Sequence, residues 1–148
     1  MSDKTLDDLA QYACNLAYLA HAGQRDKAGR DYVTAHIGDV VERVGYDSPL
    51  VEACAWLHDV LEDTTITEAF LRVRYPDVLV DAVVAITHVP HEPRDAYYAR
   101  VKVNPIALQV KLADVASNTD AARMALLDES TRERLTRKYA HALEVLTA

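Results

Sequence analysis

Leu6, Leu9, Ala13, Leu16, Ala17 and Ala20 recur at intervals of three and four, so the spacing predicts a helix over residues 5–21 that Gly23 closes. Val40, Val41 and Val44 carry a second helix over 32–45, with Gly45 as its stop. Ser48-Pro49 pairs an N-cap residue with proline at the first helical position, and opens a third helix expected to run unbroken to about Asp63. Thr67-Glu68 starts a short fourth helix ending near Tyr75-Pro76, and Asp77 caps a fifth through Val83, Val84 and Ile86. Pro90 and Pro93 then interrupt the chain. A sixth helix is expected over 94–103, a seventh from Asn104-Pro105 through Asn118, and a terminal one from Ser130 or Thr131. β-branched residues fall inside helical periods and no strand-like alternation stands out. The expected fold class is all-α, a single compact helical bundle spanning residues 1–148.

Composition sharpens this in three ways. Half of the 148 residues are hydrophobic, enough for a sizeable core, and only four glycines and five prolines leave long uninterrupted segments. A net charge of −7 argues against a nucleic-acid polymer as partner, because neutralising phosphates needs a basic field. Cys14 and Cys54 sit in apolar helical contexts and read as free thiols of a reducing cytoplasm. With no charged leader and no apolar run near the length of a span, neither a secretion signal nor a membrane partner is expected.

The chemistry concentrates in Ala55-Trp56-Leu57-His58-Asp59-Val60-Leu61-Glu62-Asp63-Thr64. Apolar neighbours make this stretch read as a buried helix, and burying so many ionisable groups is costly unless something compensates them. Neighbouring helical residues project about 100° apart, so His58 and Asp59 can converge on one ion. Glu62 and Asp63 follow at same-face spacings. His36 supplies a second imidazole near a helix start, and Asp114 is a lone carboxylate on the apolar seventh helix, with Asn118 one turn beyond. Two imidazoles and two carboxylates form a mixed nitrogen and oxygen site for a divalent metal, suited to Mn, Fe, Co, Ni or Zn over Mg or Ca. A cation held by His36, His58, Asp59 and Asp114 leaves room for water and a phosphate oxygen, and Glu62 and Asp63 are candidates to deprotonate or orient that water. An amphipathic helix whose polar stripe happens to carry these letters would look the same in isolation.

The ordered set His36, His58-Asp59, Asp114 resembles the pattern of the HD-domain metal-dependent phosphohydrolases, and His58 through Thr64 resembles the hydrolase domain of the stringent-response Rel/Spo enzymes and their small stand-alone relatives. His21-Ala22-Gly23-Gln24 with Lys27-Ala28-Gly29, Asn104-Pro105, Lys111-Leu112-Ala113-Asp114 and Asn118 agree with it, so the likeness runs from about residue 10 to 125. The resemblance implies an HD-type helical bundle that removes the 3′-pyrophosphate of guanosine tetraphosphate (ppGpp) and related alarmones, with Mn2+ as the expected ion. It implies metal ligation by His36, His58, Asp59 and Asp114, and a catalytic Glu62-Asp63 pair. The expected partner is a small phosphorylated nucleotide, contacted by Arg25, Lys27, Lys111 and Asn118.

Three departures stand out, the first bearing on the geometry of His36 and the other two on substrate. Tyr32-Val33-Thr34-Ala35-His36 holds one residue more than the family's Tyr-Ile-x-His-Pro, and the proline is missing. Asp26 stands where those enzymes place an arginine against the guanine base, and Val115 replaces another arginine after the metal aspartate. Two further readings therefore stay open: an HD phosphohydrolase for another small nucleotide, and a non-catalytic nucleotide-sensing or antitoxin-like module. Arg25-Asp26-Lys27-Ala28-Gly29-Arg30 is a local basic loop suited to phosphate, or a plain surface loop. Tyr97, Tyr98, Arg100 and Lys102 either flank a pocket or cover a surface helix. His21 is expected in the Gly-Gln turn, His88 and His91 in a proline-broken loop, His141 on the terminal helix surface, and Tyr32 near the pocket mouth.

Overall fold

A computed structural model describes residues 3–148, and among them the regular structure is entirely helical. The helices are α1 (Asp3–Ala20), α2 (Gly38–Val44), α3 (Pro49–Leu57), α4 (Val60–Asp63), α5 (Glu68–Arg74), α6 (Asp77–Ile86), α7 (Arg94–Lys102), α8 (Pro105–Asn118), α9 (Ala121–Met124) and α10 (Glu129–Leu146). A π-helical turn, Val33–Ile37, leads directly into α2. Outside these, an isolated antiparallel bridge joins Arg25 and Asp31.

Side-chain oxygens start the helices where the sequence places them. Ser48 Oγ accepts from Val51 N at 3.3 Å, Thr67 Oγ1 from Phe70 N at 3.2 Å, and Asn104 Oδ1 from Ala107 N at 3.0 Å. Each satisfies an amide that the first turn leaves without an internal partner. Pro49 and Pro105 follow two of these caps.

Four expectations need correction. Asp77 does not cap α6: it is the first helical residue, and Pro76 stands at the cap position with no side-chain hydrogen bond. The helix from Ser48 is not continuous to Asp63: it stops at Leu57, and Asp59 adopts φ −110°, ψ 1° before α4 resumes. The terminal helix starts earlier than Ser130, because the Asp128 carboxylate accepts from Thr131 N at 2.7 Å and caps a helix that begins at Glu129. The short α9, capped by Asp120, was not expected, since four residues carry no periodic signal.

α8 lies at the centre, packed by α2, α3, α6, α7 and α10, while α1 runs along α3 and α5 covers α6. Their shared interior includes Leu57, Leu71, Leu79, Val83, Tyr98, Val110 and Val115, all excluded from solvent or nearly so. Because α8 touches α2, α3 and α7 together, Asp114 on its inner face meets residues from distant parts of the chain. Among the described residues no helix is long and apolar enough to cross a membrane. Replacing fully buried Leu79 by Ala is expected to lower unfolding free energy by about 2–5 kcal/mol, read as a reduced urea midpoint at unchanged slope.

Candidate metal centre and active-site cavity

The break between α3 and α4 creates the centre of the site. Ending α3 at Leu57 leaves carbonyls without helical donors, and the His58 ring takes one of them: Nδ1 lies 2.7 Å from Ala55 O. A carbonyl only accepts, so Nδ1 carries the proton and Nε2 presents its lone pair inward. That Nε2 is buried and makes no aligned hydrogen bond.

His36 arrives on the π-turn. There the Gly38 amide reaches back to Val33 O, and a Cβ on Gly38 would lie 3.1 Å from that carbonyl, closer than a side chain ordinarily packs. The turn carries one residue more than an α-turn, and so takes up the additional residue between Tyr32 and His36. His36 Nδ1 meets Ser117 Oγ at 3.2 Å and Arg123 Nη1 at 3.2 Å. Its Nε2 faces Asp114 Oδ1 at 2.9 Å and Asp59 Oδ2 at 3.7 Å. His58 Nε2 is 3.2 Å from Asp59 Oδ2 and 3.5 Å from Asp114 Oδ1.

Four donors from three separate segments therefore surround one point. An ion bound at about 2.1 Å holds neighbouring donors about 3.0–3.4 Å apart, close to the spacings present here. The orphaned His58 Nε2 and this donor set fit a divalent metal; His36, His58 and Asp114 form one metal-competent group, and Asp59, Glu62 and Asp63 form an adjoining one. Electrostatics agree. Burial alone would raise the pKa of Asp59 and Asp114, but His58 beside Asp59, and Lys111 with both imidazoles beside Asp114, hold them below the usual carboxylate range. Burial would lower His58, yet with no cation between them Asp59 and Asp114 raise it well above an ordinary histidine, and a bound ion would take the place of that second proton on Nε2. The two carboxylates thus demand positive charge where the imidazoles meet.

Other residues hold the carboxylates in place. Tyr32 donates its hydroxyl to Asp59 Oδ2, and burial together with Asp59 keeps the phenol protonated. Lys111 Nζ contacts Asp114 Oδ2 at 2.9 Å, and Asn118 Nδ2 donates to Asp114 Oδ1 at 3.2 Å. Lys111 and Asn118, expected at the substrate, line the cavity but spend these contacts on Asp114. Burial works against the Lys111 charge, but Asp114 and Tyr97 outweigh it and raise its pKa.

Above the metal-competent group opens a cavity of about 620 Å3. Glu62 and Asp63 stand at its edge, solvent-accessible but recessed. Glu62 Oε1 accepts from His88 N at 3.0 Å, and burial followed by Asp59 raises its pKa. Asp63 is pushed up to about 6 by burial, then by Asp59 and Glu62. Arg25 and Lys27 also line the cavity, and Arg25 Nη1 donates to Gly29 O at 3.0 Å. Asp26 turns inward: its fully buried carboxylate accepts from Ala28 N at 2.9 Å and Arg30 N at 2.8 Å, shaping a loop that Gly29 closes at φ 83°.

Several lining residues had no clear sequence signal. Arg123, on unexpected α9, lies between His36 and Asp26, with Nη2 3.9 Å from Asp26 Oδ2. Arg94 and Lys138 come from α7 and α10, and Leu127, Leu135 and Tyr139 supply an apolar ledge. Burial, then Arg94, Lys111 and Lys27, push Lys138 down to about 8. Among the described residues neither Lys27, Arg94 nor Lys138 forms an ion pair. His21 keeps to the turn, its Nδ1 2.7 Å from Gln24 Oε1, while Gln24 donates to Asp63 O at 2.8 Å.

No family model and no curated sequence matches the chain. Among solved structures, a metazoan ortholog of SpoT, described as hydrolysing ppGpp with a role in starvation responses, superimposes with a TM-score of 0.74. The chain has the SpoT-ortholog fold. The likeness covers 99% of this chain and 87% of that one, at 18% sequence identity. The likeness establishes the all-α fold, and what the SpoT ortholog hydrolyses is a property of that protein.

Substituting Lys111 by Met leaves Asp114 Oδ2 buried without its cation. Urea unfolding in the presence of EDTA is expected to show a loss of about 3–5 kcal/mol. A loss below about 1 kcal/mol would mean the pair behaves as an exposed one.

Proposed function

We propose that this protein is a metal-dependent phosphohydrolase that removes pyrophosphate from the 3′ position of a ppGpp-like nucleotide. The observation carrying this reading is the polarity of one cavity. Its lining gathers His36, His58, Asp59 and Asp114 around a point suited to a divalent cation, and adds Lys27, Arg94 and Lys138, which form no ion pair among the described residues. A nucleotide with more than one phosphate group can use both the cation site and these bases, and Leu127, Leu135 and Tyr139 offer its nucleoside apolar surface. The free thiols of Cys14 and Cys54 accord with a cytoplasmic setting.

His36, His58, Asp59 and Asp114 would hold the cation, with Mn2+ as the proposed ion given the mixed imidazole and carboxylate donors. Bound there, it supplies Lewis acidity to a phosphoryl oxygen and lowers the pKa of water. Asp63, whose carboxyl burial and the neighbouring Asp59 and Glu62 push up, is suited to take the proton from the attacking water and return it to the departing 3′ oxygen. Glu62, anchored by His88 N, orients the same water. Tyr32, Lys111 and Asn118 keep Asp59 and Asp114 aimed at the cation site, and such supporting contacts are worth about 10–100-fold in metal affinity or activity.

A second reading keeps the chemistry and changes the base. Asp26 is consumed by its own loop, and Val115 is fully buried in the core, so neither position offers the arginine that the resembling enzymes carry. A nucleotide other than guanosine is then the substrate. The intact donor set argues against a non-catalytic sensing module.

Pyrophosphate release from ppGpp with Mn2+ tests the reading in wild type, Asp59→Ala and Glu62→Ala. Wild type is expected to turn over and Asp59→Ala to lose both metal and activity. Glu62→Ala should fall by about 10²–10⁴-fold while elemental analysis finds its metal retained. Loss of metal in Glu62→Ala would move Glu62 into the ligand set. A metal-loaded wild type that leaves ppGpp intact would shift the assignment to another nucleotide. Lys138→Ala is expected to raise KM about tenfold with kcat nearly preserved, and an unchanged KM would remove Lys138 from substrate binding.

A further inference from the structure

The carbonyls ending α6 have no helical donors, and α7 supplies them. Arg100 Nε donates to Ala85 O at 3.2 Å and Nη2 to Thr87 O at 2.8 Å, while the Tyr97 hydroxyl donates to Ile86 O at 2.5 Å. The same guanidinium grips both oxygens of Glu92, with Nη2 3.0 Å from Oε1. Glu92 in turn gathers the loop: Oε1 accepts from Val89 N at 3.3 Å, and its carbonyl accepts from His88 Nε2 at 2.8 Å. At the tip His91 sits at φ 67°, a left-handed conformation that a non-glycine residue rarely adopts. This knot delivers one backbone group to the cavity, the His88 amide on Glu62 Oε1 at 3.0 Å.

We propose that Glu92 and Arg100 are positioning residues: together they clamp the 87–93 loop so that the His88 N–H sets the orientation of the Glu62 carboxylate. Neither side chain lines the cavity, so the clamp acts only through that amide. Three features support it. Arg100 bridges two carbonyls and a carboxylate at once, which a single ammonium group could not reproduce. Glu62 sits in the last turn of a four-residue helix, too short to hold a side chain by itself. Arg100 also keeps the Glu92 carboxyl below the ordinary glutamate range, so the pair stays charged where the enzyme works. The proposal rests on the hydrolytic role assigned to Glu62 above.

Arg100→Met and Glu92→Gln, in the full-length metal-loaded protein, test it by amide exchange at His88 and by the kinetics of pyrophosphate release. Arg100→Met is expected to speed His88 exchange about tenfold or more. It should lower kcat about 10–100-fold, with KM within about threefold and metal content unchanged. Glu92→Gln keeps one oxygen to accept from Val89 N and Arg100 Nη2 but loses the charge and sets an amide NH2 against Nη1. It should lower kcat in the same direction as Arg100→Met but less, and an unchanged kcat together with unchanged His88 exchange would remove Glu92 from the clamp. A lowered Tm in Arg100→Met with His88 protection and kcat intact would overturn the clamp and leave Arg100 a helix cap only. Absence of turnover in wild type on every nucleotide tried would sink the hydrolase reading alone. The clamp would then be decided by exchange: it stands if Arg100→Met exposes the His88 amide as fully as Glu62→Ala, which removes its acceptor, and falls otherwise.

Discussion

Two carboxylates and two imidazoles share one space from which most water is excluded, and the surrounding structure is organised by that condition. A buried, unmatched charge costs several kcal/mol, so Asp59 and Asp114 persist as anions only because each has dedicated partners. Tyr32 comes from the loop before the π-turn, Lys111 and Asn118 from α8, and the imidazoles from the π-turn and the α3–α4 break. Segments more than 80 residues apart are thereby tied to one point, as the His36–Ser117 contact shows. The α3–α4 break is part of the same solution. A continuous helix would satisfy Ala55 O internally and free the His58 ring to rotate; the break makes the backbone itself fix which nitrogen faces inward.

Much of the helical frame was legible because it is written in local terms. Ser48-Pro49, Thr67 and Asn104-Pro105 act within four residues of themselves, and apolar periodicity needs only one helix to register. The four metal-competent residues were legible by chemical type and order, aided by resemblance. What escaped depends on tertiary contact. The break at His58–Asp59 lies inside an uninterrupted apolar pattern, and only the pull of Asp59 toward Tyr32 and both imidazoles distinguishes it. Arg123, Arg94 and Lys138 reach the cavity from three different helices, with no spacing that links them. Asp26 was legible as a departure, but its burial beneath the loop could be learned only from the fold.

An acidic chain that brings Lys27, Arg94 and Lys138 into one cavity separates its long-range field from its local one. At −7 overall it repels polyanions at distance, so a nucleic-acid polymer gains little by approaching. Inside the cavity, within a few ångströms of Lys27, Arg94 and Lys138, the sign reverses. A small, multiply charged ligand fits such an arrangement, because it can enter the pocket fully and leave the outer field behind. Burial first, and then the neighbouring cations, lower the pKa of Lys138, and an anion placed among them would relieve the second of these.

The π-turn at Val33–Ile37 also fixes the register of the chain around the site. One residue more or fewer in a helix rotates everything beyond it by about 100°, whereas a change in the width of one turn leaves the remainder in place. Here the widened turn keeps Tyr32 on Asp59 and His36 on Asp114 at once. Deleting one residue from this segment would therefore turn His36 away from Asp114 unless the turn narrowed with it.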